Sequence, residues 1–240
     1  MKAPKHYSPV QIRRVANQVW ETLDPSAKGH SISPLFDMIS SYPIRTAEIE
    51  GLTFQSAAQF LSSETGQIVP VPEDGNQTLA GFLFIQRYRT TLYGCILVEK
   101  FDSVVRRRFS AAHELGHYLL HFLPMLDSQP SIHDMVLAEG LTYSDESPED
   151  LPSGKLAVIQ SPEQDFRFNF VGDEVVEREA NQFAAELLVP EERCKQVYQS
   201  FSKKYGIQRP VLIKRLATEF LVSVEAMKWR LMTLRLHSYQ

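Results

Sequence analysis

The chemistry in this sequence is concentrated in five consecutive residues, His113-Glu114-Leu115-Gly116-His117, which read HExxH. They sit in the run Phe109–Phe122, whose apolar pattern is helical. At about 100° per residue, the two histidines stand about 40° apart around a helix and one turn apart along it. Both imidazoles can therefore reach one metal ion. Glu114 falls about 100° away from His113, beside such an ion, where a general base takes a proton from activated water. His121 does not complete the set, because its Cα lies about 12 Å along the axis from that of His113. It reads as a packed or hydrogen-bonded histidine.

A catalytic metal usually has three protein ligands, so the pattern demands another donor. The run Glu174–Leu188 supplies it. Val176, Ala180, Phe183, Ala184, Leu187 and Leu188 make its apolar stripe, and Glu177 falls inside that stripe. A carboxylate aimed at a core is costly unless a cation compensates it, whereas Glu179 and Glu186 fall on the polar edge and are expected to be solvated. Glu177 is thus the third ligand, with Glu174 as the substitute. The competing reading makes Glu177 a carboxylate favoured by the helix N-terminus. Asn181, one turn on, is placed to hydrogen-bond a ligand histidine and fix its ring. On this reading His113→Ala, His117→Ala and Glu177→Ala each lose metal while Glu179→Ala keeps it. Such donors suit Zn2+, with Mn2+ or another divalent ion also compatible. Tyr118, His121, His133 and Tyr143 are nominal oxyanion donors, and the role stays unassigned.

Arg108–His121 followed by Glu177–Pro190 resembles the ImmA/IrrE family of metallo-endopeptidases. The likeness extends more weakly to Leu216–Leu231, and residues 1–60 add little to it. The resemblance implies an α+β, zincin-like fold: a small mixed sheet packed on the HExxH helix, with an edge strand that aligns an extended peptide. It also implies site-specific cleavage of a DNA-binding, helix-turn-helix repressor in stress response or mobile-element regulation. The stretch between His117 and Glu177 is longer than is usual in that family, which bears on access to the site.

The remaining sequence must position these groups. Ser8-Pro9-Val10-Gln11 predicts a capped helix to about Leu23. Residues 26–50, broken by Gly29, Pro34 and Pro43, read as loop and short helix, and 54–63 as another short helix. Ile68–Val71, Gly81–Tyr88 and Leu92–Val98 read as strands. Ser103 caps the long helix that carries HExxH, and a second helix spans about 173–188 before Pro190. Residues 122–172 hold five prolines, and their Asp and Glu far outnumber Lys155 and Arg167. They read as an acidic surface insertion, with restriction of access as the sharper possibility; trimming it should then raise cleavage of a generic peptide. The expected division is a metallopeptidase domain over 1–190 and a helical segment, 191–240, packed on it.

The chain has 240 residues and a formal net charge of −4, which excludes a rod, a disordered chain and a globally basic nucleic-acid binder. With no apolar leader and no run of about 18 apolar residues, it reads as cytoplasmic and not membrane-bound. Cys95 and Cys194 form no CxxC pair and read as reduced packing residues. The last fifty residues carry ten Lys or Arg against four Glu, and Leu216–Leu231 has a helix-turn-helix cadence with Ser223 as cap. The alternative function is therefore a regulator that binds DNA through this tail, or binds a repressor without cutting it.

Overall fold

The computed structural model describes residues 6–23, 31–66, 68–69, 71, 75–88, 91–124, 136–142, 154–159, 174–205 and 209–236. The first helix, α1 (Pro9–Glu21), starts as its sequence dictates: Gln11 N–H donates to Ser8 Oγ, and the Gln11 side chain accepts from Ser8 N–H. After α2 (Leu35–Ser40) the chain enters strand β1 (Ile44–Ile49) and helix α3 (Phe54–Thr65). Strands β2 (Leu79–Tyr88) and β3 (Thr91–Glu99) form an antiparallel hairpin. Helix α4 (Val104–His117), capped by Ser103, carries HExxH and runs on into a single π-helical turn, Tyr118–Phe122. Two more strands follow, β4 (Val136–Thr142) and β5 (Gly154–Ile159). The chain continues through α5 (Glu174–Leu188), α6 (Glu191–Tyr205), α7 (Arg209–Phe220) and α8 (Val224–Thr233).

The sheet order is β1-β3-β2-β4-β5, with β1 parallel to β3 and the other pairs antiparallel. Side chains alternate across it, as period-2 geometry requires. On β2, Leu83 and Ile85 join the core shared with α1, α4, α5 and the C-terminal helices, while Phe82 and Phe84 face α3 on the other side. Helix α4 thus lies against a sheet whose β2 and β3 are covered on both faces.

Three expectations need correction. The segment 122–172 is not only a surface insertion: β4 pairs with β2 from Gln86↔Val136 to Leu79↔Thr142, and β5 pairs with β4. Its prolines and acidic residues mask two six- to seven-residue strands, so trimming it whole would strip two of the five strands from the sheet. The access reading is left to the connections 125–135, 143–153 and 160–173, which lie outside the described residues, as do His133 and Tyr143. Residues 26–50 also hold a strand, β1, which forms a sheet edge and shows few buried side chains for a sequence pattern to register. Ile68, Val69 and Val71, read as strand, belong to none.

The C-terminal helices share the main core through Leu212, Leu216, Phe220, Met227 and Leu231. Ser223 caps α8 as expected, accepting from Ala226 N–H at 3.0 Å. Arg230, one of the cations a DNA reading would need, is buried in an ion pair with Glu186. Cys95 and Cys194 are both buried, and burial pushes each thiol up to about 11. Among the described residues, no helix is long and apolar enough to cross a membrane.

Candidate metal centre

Helices α4 and α5 pack closely because Gly116, inside HExxH, has no side chain. A Cβ there would lie 3.0 Å from Phe183 Cδ1 and 3.3 Å from the Ala180 backbone. The close crossing brings Glu177 onto the histidines. Its Oε2 lies 3.4 Å from His113 Nε2 and its Oε1 3.6 Å from His117 Nε2. The two Nε2 atoms are 2.9 Å apart. One ligand atom from each of the three residues lies within 4.8 Å of the others, and the three side chains are buried. Glu174, the substitute ligand, is exposed at the start of α5.

These separations suit a cation. Donors about 2.0–2.1 Å from a tetrahedral ion stand about 3.3 Å from one another. The hydrogen-bond pattern gives a second reason. Asn181 Oδ1, where the sequence placed it, lies 3.0 Å from His113 Nδ1. An amide oxygen only accepts, so His113 Nδ1 carries a proton, and Nε2 is the nitrogen turned towards His117 and Glu177. Burial first, then the neighbouring His113 and His121, holds His117 well below the usual imidazole range, so it is neutral as a ligand must be.

Glu114 is fully buried, and neither of its oxygens has a hydrogen-bond partner among the described residues. Burial, then the charge of Glu177, pushes its carboxyl well above the usual range. Room for it is made by Gly81 on β2, where a Cβ would meet Glu114 Oε1 at 2.9 Å and Ser110 Cβ at 3.2 Å. A buried carboxylate without donors is costly unless a cation or a substrate group answers it. The residues therefore fit a divalent ion with an adjacent proton acceptor.

Sequence reasoning missed the surroundings of Glu179 and Glu186, which are buried rather than solvated. Glu179 Oε2 lies 3.1 Å from His121 Nε2, and its Oε1 accepts Tyr7 N–H at 2.8 Å. Glu186 accepts two donors of Arg230, at 2.9 and 2.6 Å. A helical wheel cannot find these partners, because they come from other elements: Tyr7 before α1, His121 on the π turn and Arg230 on α8. Of the nominal oxyanion donors, Tyr118 donates to Leu92 O at 2.8 Å and faces the sheet, while His121 is engaged with His117 and Glu179.

A family model for the IrrE N-terminal-like domain matches residues 72–133 and 158–232, which takes in HExxH and Glu177. Comparison with curated proteins and with solved structures gives no match.

Proposed function

We propose, on the premise that this chain belongs to the IrrE N-terminal-like family of metallopeptidases, that it is an endopeptidase cutting a DNA-binding repressor at one site. Its fold is the α+β, zincin-like fold of that family. One observation carries the reading: His113, His117 and Glu177 converge with the carboxylate of Glu114 buried beside them.

His113 and His117 present two bare imidazole nitrogens, and Glu177 supplies the charge that makes the trio a cation site. Two imidazoles and one carboxylate favour Zn2+, with Mn2+ as the alternative. When bound, the ion acidifies water and polarises the scissile carbonyl. Glu114 accepts the proton of the attacking water and delivers it to the leaving amine. A carboxyl raised above its ordinary range by burial is suited to both transfers near neutral pH. For the peptide we assign the β5 edge, two strands or about 10 Å across the sheet from β2, where backbone pairing would hold an extended chain.

The repressor substrate, of helix-turn-helix type, and the role in stress response or mobile-element regulation rest on the resemblance of the two motif segments. The cytoplasm is where such a substrate resides. Incubating metal-loaded protein with such repressors from the same cell tests the reading. A single cut is expected, abolished in Glu114→Gln while metal remains bound. Cleavage undiminished in Glu114→Gln would refute hydrolysis by this site.

A further inference from the structure

The two ligand histidines are supported differently. His113 is fixed by Asn181, but the other nitrogen of His117, Nδ1, lies 3.1 Å from Nδ1 of His121. His121 stands on the π-helical turn that ends the HExxH helix, and its Nε2 lies 3.1 Å from Glu179 Oε2. Single π turns are often found where a helix re-aims a side chain at a functional site. Glu179 is in turn held by the segment before α1: Tyr7 N–H donates to its Oε1, and His6 Nδ1 lies 3.5 Å away. All members from His117 to Glu179 are buried.

We infer that His121 and Glu179 are positioning residues that fix the tautomer of His117, forming a His117–His121–Glu179 chain that sets metal affinity. Each link follows from the donor inventory of its groups. The Glu179 carboxylate only accepts, so the proton of His121 sits on Nε2. With Nε2 of His117 serving as the ligand atom, its proton sits on Nδ1 and is donated to Nδ1 of His121. His117 is left with a bare Nε2, facing the bare Nε2 of His113 and the carboxylate of Glu177. Both ligand rings are thereby locked with lone pairs converging, one through Asn181 and one through a relay that ends at residues 6–7. Under this relay Glu179→Ala is expected to hold metal more weakly than wild type, where the helical pattern alone expects it to keep metal unchanged.

This inference rests on the metallopeptidase reading, and the test separates the two. The apparent Zn2+ affinity of the full chain is measured by chelator competition. The visible absorption of the Co2+ form and the melting temperature of the metal-free protein are recorded beside it. His121→Phe, which keeps the bulk but neither bond, should bind Zn2+ about 10–100-fold more weakly and shift the Co2+ bands. His121→Gln, whose amide can accept from His117 and donate to Glu179, should recover most of that loss. Glu179→Gln keeps an acceptor and removes the charge, and should fall between wild type and His121→Phe. If His121→Phe fails to fold, Glu179→Gln decides by itself. A purely structural role would lower the melting temperature and leave affinity and Co2+ bands alone. If wild type binds metal and the folded variants match it in both, the relay is overturned and the metal reading stands. If wild type binds neither ion, both fall.

Discussion

The two ends of helix α5 pose the same problem and solve it differently. Glu177 and Glu186, about two and a half turns apart, are both buried carboxylates on the helix that packs against α4. At the far end, Arg230 reaches back from α8 with a bidentate pair on Glu186, and its Nε donates to Val189 O at 2.8 Å. That charge is answered inside the protein. At the near end, Glu177 faces the Nε2 atoms of His113 and His117, and the second carboxyl group, Glu114, is buried close by. Two carboxyl groups and two converging imidazole nitrogens suit a cation from outside. A buried glutamate is therefore structural or metal-seeking according to what faces it, and the residue type alone does not say which.

The contrast predicts opposite phenotypes. Glu177→Ala should abolish tight metal binding and peptide hydrolysis, an effect larger than the ~10–100-fold cost of losing an outer partner. The metal-free protein should melt no lower than wild type, since a buried carboxylate is removed. Chelator competition and calorimetry check both halves; metal retained at wild-type affinity would break the contrast. Glu186→Ala should leave metal binding intact and cost about 3–5 kcal/mol of stability, because Arg230 stays buried without its counter-charge. The double variant Glu186→Leu/Arg230→Met should regain most of that in denaturant unfolding, sharpening the assignment of a closed structural pair.

How much of this was legible beforehand follows from where the information sits. HExxH and the place of Glu177 beside its histidines were readable because i,i+4 spacing and the apolar stripe of one helix are local. Strands β2 and β3 were readable from β-branched and aromatic runs. The burial of Glu179 and Glu186 was not, because Tyr7 lies 172 residues from its partner and Arg230 lies 44 from its own. Strands β4 and β5 were hidden by the composition around them, and β1 by its place at an edge, where alternation is muted.

Smaller effects refine the comparison. Gly81→Ala places a methyl group against Glu114 Oε1 and Ser110 Cβ, so the carboxylate must move. Hydrolysis should fall about tenfold or more at saturating peptide, with metal content and melting temperature close to wild type. A stability loss with unchanged kcat would instead make Gly81 a packing position. The smallest effect is expected at Glu191, whose carboxyl is held below its ordinary value by the Lys195 hydrogen bond, against burial and with the charges of Arg13, Lys195 and Arg230. A depressed carboxylate stabilises the fold above its unfolded value and loses that contribution as pH falls through the folded one. Glu191→Gln should therefore cost well under about 1 kcal/mol at pH 7, with the difference fading below about pH 4. A difference that persists in acid would assign it to packing.

The most direct measurement is the metal content per chain of the purified protein, beside His117→Ala and the Glu186→Leu/Arg230→Met pair. One tightly held divalent ion in wild type, lost in His117→Ala and kept in the double variant, is the expected result. A wild-type protein that holds none after being offered zinc and manganese, or a His117→Ala variant that holds it as tightly, would contradict the assignment of this end of α5 to a metal.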